Sequence, residues 1–245
     1  MLSSASLYVY SASSLYSQTT CEIPGLFAPS FACGDPVNYD GHDYATVEIG
    51  DQCWFQENLG TDHYNNGEAI PGDMSNAEWG IATSGAQAYY SHDAENLAVY
   101  GRLYNWYAVD DERGICPSGW HVPTDDEIKV MELQIGMPED EIDVWGHRGL
   151  SQNIGGKLKE AGTSHWNAPN TGADNVSNFT ILGSGYRNGN SGAFLNLLHA
   201  GYFWSSTQQN NSAWGRGVYS DMSTVKRGYQ TNSKRIGFSV RCIQD

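Results

Sequence analysis

The chain has 245 residues, and 28 acidic against 13 basic side chains give it a net charge of −15. A surface with this negative charge repels the phosphates of nucleic acids and of anionic membranes. Both are therefore disfavoured as partners. Hydrophobic residues make up 40 % of the chain, enough for a packed core, and no apolar run is long enough to cross a membrane.

The first twenty residues are rich in Ser, Ala, Leu and Tyr. They lack the basic start and the unbroken apolar centre of a signal peptide. We interpret residues 1–20 as a flexible leader or as the remnant of an export signal, and residues 21–245 as one domain.

The five cysteines stand far apart and form no CxxC pair, so a metal site built on them is not expected. Single, widely spaced cysteines in a loop-rich chain favour disulfides and an oxidising compartment. We predict the pairs Cys33–Cys53 and Cys116–Cys242, with Cys21 left over. Five reduced thiols are the alternative.

Two local patterns predict the first regular elements. Residues 44–49 and 52–55 are rich in β-formers and flank Gly50-Asp51, which predicts a hairpin with a type II′ turn. Turn residues dominate 60–98. Residues 102–109 carry apolar side chains at helical spacing, which predicts a helix.

A second helix has clearer boundaries. Thr124 and Glu127 form a capping box at its start. Ile128 and Met131 begin its apolar stripe, and Gly136 is placed to end it. Residues 139–145 are predicted to form a further short helix.

Strands and loops are predicted from residue 155 onward, with strands at 180–182, 203–206, 217–219 and 236–242. In the last of these, Phe238, Val240 and Cys242 alternate with Ser239 and Arg241. Helices in the middle and strands at both ends predict one α+β domain. We expect two helices packed on small antiparallel sheets, with long irregular loops.

Six short sequence segments resemble those of one bacterial family. They are IGDQCWFQENL at 49–59, YGRLYNWY at 100–107, CPSGWHVPT at 116–124, GGKLKEAG at 155–162, FWSST at 203–207 and GFSVRC at 237–242. From residue 37 onward the chain resembles the Fibrobacter succinogenes major paralogous domain family. The resemblance implies an exported protein, often at the cell surface or lipid-anchored, and no settled activity.

The same architecture is similar to the C-type lectin-like fold of formylglycine-generating enzymes and of the variable proteins of diversity-generating retroelements. In those variable proteins, adenine-specific mutagenesis rewrites a C-terminal stretch whose side chains form the ligand site. Residues 185–232 have a similar content of Asn, Ser, Tyr, Asp, His and Gly around apparent frame residues such as Trp204 and Phe238. Tyr and Trp with Ser, Gly and Asn are also the composition of a recognition surface.

We therefore predict a non-catalytic, exported ligand-binding protein whose partner is a protein or a cell-surface glycan. The predicted ligand contacts are Tyr186, Arg187, Asn188, Asn190, Phe194, Asn196, His199, Gln208, Asn210, Trp214, Arg216, Tyr219, Asp221, Met222 and Tyr229. A surface structural or adhesion module without diversification, and an enzyme of unknown type on the same fold, are the alternatives.

Signatures of catalysis and of cofactor binding are missing from the sequence. It has no HExxH, no GxSxG and no phosphate-binding loop, and its histidines are scattered. The acidic runs at 125–127 and 139–141 lie in predicted first turns of helices, where they complement the helix dipole. We expect no cofactor, except that Asp174, Asn175 and Asn178 could supply oxygen ligands to Ca²⁺.

Overall fold

The computed structural model describes residues 31–228 and 233–245. In these residues, five α-helices and fourteen β-strands alternate with long loops. The helices are α1 (Asn76–Ile81), α2 (Ala94–Tyr100), α3 (Trp106–Val109), α4 (Asp125–Gln134) and α5 (Ile154–Leu158). The strands are β1 (Val37–Tyr39), β2 (His42–Tyr44), β3 (Thr46–Ile49), β4 (Gln52–Phe55), β5 (Gln87–Ala88), β6 (Leu103–Tyr104), β7 (Trp120–His121), β8 (Gly146–Arg148), β9 (Ser184–Arg187), β10 (Phe194–Leu197), β11 (Ala200–Gln209), β12 (Ser212–Tyr219), β13 (Val225–Gly228) and β14 (Ile243–Gln244).

The strands form small sheets. The largest has six strands in the order β10-β9-β11-β12-β13-β8, and its neighbours are antiparallel except β9 and β11. A four-stranded antiparallel sheet has the order β3-β4-β14-β7, and β1-β2 and β5-β6 form two pairs. The domain is thus α+β with small, mostly antiparallel sheets, as predicted, but the described residues form five helices where two were expected. None of the helices found in the described residues could cross a membrane.

Three local predictions are confirmed. In the hairpin, Ile49 lies opposite Gln52, and Gly50 has φ 63°, which a type II′ turn requires at its first central position. The second predicted helix is α4, with both hydrogen bonds of its capping box present. Both disulfides are formed, Cys33–Cys53 and Cys116–Cys242. Cys21 and the proposed leader lie outside the described residues.

The predicted helix at 102–109 is wrong in its first half. Leu103–Tyr104 is strand β6, and the Tyr104 amide donates to the carbonyl of Phe238. The side chain of Asn105 then accepts from the Ala108 amide and caps the short helix α3. Long-range pairing therefore overrides the helical spacing of the apolar side chains.

The predicted helix at 139–145 is a series of turns. Two of its carbonyls point at arginines of the sheet instead of along a helix axis. The Ile142 carbonyl accepts from Arg148 Nη1 at 3.0 Å, and the Asp143 carbonyl accepts from Arg227 Nη1 at 2.8 Å. The dipole explanation for the acidic run at 139–141 is therefore wrong too.

Two predicted strands are also corrected. Residues 180–182 contribute one isolated bridge, between Ile181 and Lys159. Residues 236–242 form three isolated bridges before β14 begins. Every side chain from Phe238 to Cys242 is buried, so the alternation of apolar and polar residues does not separate an inner from an outer face.

Two main hydrophobic clusters support the sheets. One contains Trp106, Trp204 and Phe238, and the other contains Trp54 and Trp166. The expectation that Trp204 and Phe238 lie in the core is confirmed. Strand β11 contributes to both clusters, because Trp204 joins the first and its neighbour Phe203 joins the second.

Candidate ligand-binding surface

Three half-buried tyrosines come together at one end of the six-stranded sheet. Tyr186 lies on β9, Tyr202 on β11 and Tyr219 at the end of β12. The ring centroids of Tyr186 and Tyr202 are 5.3 Å apart, and those of Tyr202 and Tyr219 are 5.7 Å apart, both in edge-to-face geometry. Edge-to-face packing is a favoured arrangement of aromatic rings, so the three tyrosines form one ordered cluster.

The cluster rests on the core through Phe238. The ring of Tyr202 stacks on Phe238 with centroids 4.8 Å apart and planes 7° apart. Opposite Tyr202, strand β12 has Gly217, where a Cβ atom would lie 2.9 Å from two ring carbons of Tyr202. The glycine therefore makes room for the tyrosine ring across the strand pair.

Polar side chains surround the three rings. Asn196 donates from Nδ2 to the Tyr202 hydroxyl at 3.3 Å. The rings of His147 and His199 lie 5.4 Å and 6.1 Å from the ring of Tyr219. We call these six residues the tyrosine surface: Tyr186, Tyr202, Tyr219, Asn196, His147 and His199.

The hydroxyls of Tyr202 and Tyr219 stay protonated at physiological pH. Burial, reinforced by the neighbouring Tyr219, raises the pKa of Tyr202 far above its usual value. Burial raises the pKa of Tyr219 as well. Burial and the charge of Lys226 lower the pKa of His147, which favours its neutral form. The surface is therefore suited to neutral hydrogen bonds and ring contacts rather than to charge pairing.

A buried lysine fixes the turn beside the surface. Lys159 is completely buried, and its Nζ donates to the carbonyls of Thr171, Tyr219 and Met222 at 2.9, 2.8 and 2.8 Å. Burial lowers the pKa of Lys159 to about 8. The turn from Tyr219 to Met222, which carries exposed Asp221, is thus bonded from below to the loop at Thr171.

The structure brings together six of the predicted ligand contacts. Tyr186, Asn196, His199 and Tyr219 belong to the tyrosine surface, and Asp221 and Met222 lie on the adjoining turn. Leu195, directly opposite Tyr186, adds an exposed apolar side chain. The sequence analysis missed Tyr202 and His147.

Four other predicted contacts lie elsewhere on the exterior. Gln208 and Asn210 are at the β11–β12 turn, six residues or more along the strand from Tyr202, which is about 20 Å. Asn188 and Asn190 are in the β9–β10 loop, where Asn188 Oδ1 accepts from the Asn190 amide. The predicted residues therefore do not form one continuous patch.

The prediction that Arg187 contacts a ligand is wrong, because a ligand contact must be exposed. It is completely buried, and its guanidinium carbon lies 4.3 Å from the Trp79 ring and 4.7 Å from the Phe194 ring. It donates to the carbonyls of Gly192 and Met74, and burial lowers its pKa to about 10. Arg187 thus supports the β9–β10 loop from inside.

The prediction that Arg216 contacts a ligand is wrong for the same reason. It is buried on β12 and donates to Asp125 Oδ1 at 2.7 Å and to Glu132 Oε1 at 2.8 Å, both on α4. Arg148 Nη2 donates to Glu132 at 2.8 Å, and Arg227 Nη2 donates to Asp125 at 2.6 Å. We call these five residues the buried ionic cluster, and it joins α4 to the sheet.

The remaining predicted contacts have other surroundings. Trp214 is half-buried, with the guanidinium carbon of Arg227 3.8 Å from its ring. Phe194 is half-buried against Arg187. Tyr229 lies outside the described residues. Near the proposed calcium ligands, Asn175 Oδ1 accepts from the Thr180 amide and Asp174 Oδ1 from the Val176 amide, so these oxygens order the loop, and calcium binding there stays a prediction.

The chain matches a known protein family. A family model described as the Fibrobacter succinogenes major domain covers residues 47–244 of this chain. No curated protein and no solved structure matches significantly.

Proposed function

The chain belongs to the Fibrobacter succinogenes major domain family, and we propose that it is an exported, non-catalytic ligand-binding protein with a C-type lectin-like fold. Its ligand, a protein or a cell-surface glycan, would bind the tyrosine surface and the adjoining turn at 219–222. One observation carries the proposal: three ordered, half-buried tyrosines stand among hydrogen-bonding side chains on a rigid sheet.

Such a surface has the properties that favour recognition. Tyrosine offers a large contact area with few rotatable bonds, and Asn and Ser adapt their hydrogen bonds to a partner. Side chains that are already ordered lose less entropy on binding. Phe238 supports the rings from the core side and Lys159 holds the turn from below, so both parts of the surface are ordered before a ligand arrives.

Export is supported by the two disulfides. Disulfides persist in oxidising compartments and are rare in the cytosol. Cys33–Cys53 and Cys116–Cys242 both have the Cα separations of ordinary protein disulfides, 5.7 and 5.9 Å.

A more specific version of the proposal is that the C-terminal segment is diversified by a retroelement. Within 185–228, frame residues such as Trp204 and Ser205 are buried, whereas Asn196, Asp221 and Met222 are exposed. Exposed positions can change without a loss of core packing, so this separation is what a diversified surface needs. Sequencing the DNA around the gene tests it: a near-copy of the coding segment beside a reverse transcriptase gene is the expected result. No such copy, together with identical loops in sister genes, favours an adhesion module.

The binding site itself is tested by display of the protein to glycan arrays and to intact bacterial cells. Tyr219→Ala should weaken binding to any captured ligand at least about tenfold, since aromatic residues dominate binding energies. Gln208→Ala, at the distant β11–β12 turn, is the matched control and should leave binding unchanged. Equal binding by both variants, with intact folding of each, would rule out the tyrosine surface as the site.

A further inference from the structure

A separate pocket of 260 Å³ lies outside the tyrosine surface and shares no residue with it. It opens between strand β2, residues 56–61, helix α2 and the loop at Thr180. Pockets for drug-sized ligands have volumes of about 300–1,000 Å³, so this one suits a small ligand or a single side chain.

One wall of the pocket is acidic. Asp40 and Glu57 line it with side chains that are 41 % and 43 % exposed. Asp40 Oδ2 accepts from the Thr61 hydroxyl at 2.8 Å, and Glu57 Oε1 accepts from the Ala45 amide at 3.1 Å. Both carboxylates are thus held in place while solvent still reaches them.

The base of the pocket does not cancel these charges by direct contact. Arg241 lines it but is buried, and its Nη1 donates to the Gln56 carbonyl at 2.7 Å. Its Nη2 donates to the Thr180 carbonyl at 2.9 Å and its Nε to Asn58 Oδ1 at 3.0 Å. These donors are all taken up by groups of the protein, although the Arg241 charge still interacts with Glu57. The two carboxylates are the acidic side chains of the lining that solvent reaches, and they favour a cation over an anion.

Another part of the lining is aliphatic. Leu97, Ala98 and Val99 of α2 line it together with Leu182, and Val99 is 42 % exposed. A ligand that fits both walls has an apolar stem and a positively charged end.

From the volume, the two carboxylates and the aliphatic wall, we infer that this pocket binds an alkyl ammonium group, such as the end of a lysine side chain on a partner. The stem would lie along α2, and the ammonium would lie between Asp40 and Glu57. The chain's net charge of −15 would also speed the approach of a basic partner.

A divalent metal ion is the competing occupant of this acidic region. Asp40 also lies near Asp62 and His63, and one ligand atom from each falls within 4.8 Å of the others. However, Arg102 Nη2 already contacts Asp62 Oδ2 at 3.0 Å, and this fixed positive charge opposes a second cation at Asp62. The ammonium end of an alkyl chain can instead bind away from Arg102, between Asp40 and Glu57.

Calorimetry and NMR titration of the whole protein with Nα-acetyl-lysine methylamide test the inference. We expect saturable binding, with chemical-shift changes confined to α2, residues 40–61, residues 180–182 and Arg241. The norleucine analogue keeps the stem without the charge and should bind at least about tenfold more weakly. Glu57→Gln and Asp40→Asn should each weaken lysine binding about fivefold. Asp140→Asn, an exposed acid elsewhere, is the matched control and should have no effect.

Three results would overturn the inference: equal binding of the neutral analogue, no loss in either acidic variant, or saturable binding of Zn²⁺ or Ca²⁺ without a response to the lysine probe. Two variants are used because Glu57 also contacts His42 at 2.9 Å, and melting curves establish that each is folded. Tyr219→Ala should leave lysine binding unchanged, so failure here and failure of the tyrosine surface are distinguishable.

Discussion

Asp125 lies in the first turn of α4, where a helix favours negative charge, and its side chain also reaches two arginines of the sheet. Burial alone would raise its pKa, yet the hydrogen bonds and charges of Arg227 and Arg216 lower it below the usual value. Two carboxylates and three guanidiniums meet in the buried ionic cluster, and each carboxylate contacts two of the arginines. Removing one partner leaves buried charge without compensation.

We predict that Asp125→Asn lowers the free energy of unfolding at pH 7 by about 3–5 kcal/mol. Because the folded pKa is depressed, the carboxylate stabilises the protein above its unfolded pKa of about 3.9, and that contribution is lost as pH falls through the folded pKa. The variant should therefore lose less stability on acidification than the wild type. Urea unfolding between pH 7 and pH 3 measures both effects.

Asp126→Asn is the control for this prediction, since the neighbouring side chain is 90 % exposed. It should change the unfolding free energy by less than about 0.5 kcal/mol. Similar losses in the two variants would contradict the structural role given to Asp125.

Lys159 offers a second residue-scale prediction. Lys159→Met keeps a long, unbranched side chain but removes the donor of three hydrogen bonds, to the carbonyls of Thr171, Tyr219 and Met222. A hydrogen bond contributes about 0.5–1.5 kcal/mol, and more when one partner is charged, so we expect a loss of at least about 3 kcal/mol in thermal or urea unfolding. Lys157→Met, two residues earlier and bonded to one carbonyl, should cost about 1 kcal/mol. If Lys159→Met costs no more stability than Lys157→Met, the three hydrogen bonds of Lys159 contribute no more than the single hydrogen bond of Lys157.

At the scale of elements, the helices and strands that depend on neighbouring residues were predicted correctly from the sequence. The β3–β4 hairpin follows from β-formers around one glycine turn, and α4 follows from a capping box with an apolar stripe. The helix at 102–109 was predicted from the same kind of spacing, but pairing of Tyr104 with Phe238, 134 positions away, decides the outcome there. No local signal contains that information.

The site was predictable only in part for the same reason. Its composition indicated a binding region, and the aromatic and Asn residues of the tyrosine surface come from that region. Whether an arginine is exposed depends on distant partners, as in the contact of Arg216 with Asp125, 91 positions away. His147 joins the surface through β8, which precedes the predicted variable segment.

The pairing of β11 with β12 carries its own prediction, because it places Gly217 against the Tyr202 ring. Gly217→Ala should displace that ring and cost about 1–3 kcal/mol, which is typical of overpacking. Near-UV circular dichroism and urea unfolding measure the two effects. In a Tyr202→Leu background the same alanine should cost clearly less. An equal cost in both backgrounds would mean that the tyrosine ring is not the obstacle.

At the scale of the whole molecule, the disulfide Cys116–Cys242 closes a segment that contains β7 to β13, including every strand of the six-stranded sheet. The other disulfide, Cys33–Cys53, closes a short segment that contains β1, β2 and β3 and ends in β4. The two crosslinks differ in span, with sequence separations of 126 and 20 residues. A longer closed loop removes more entropy from the unfolded chain.

Replacing both cysteines of Cys116–Cys242 by alanine should therefore lower the free energy of unfolding by about 5 kcal/mol, against about 3 kcal/mol for Cys33–Cys53. Each double variant removes one disulfide and two cysteine side chains, so the two variants are matched in chemistry. Urea unfolding under non-reducing conditions measures the difference. A larger loss from the shorter crosslink would show that native contacts, rather than loop closure, set the contribution of each bridge.

The ammonium of Lys159 occupies a cradle of three carbonyl oxygens, an arrangement in which other proteins hold an exchangeable ion. A positive charge that is part of the polypeptide cannot diffuse away or be removed by a chelator. The turn at 219–222 should therefore keep its shape in solutions that contain no metal ions.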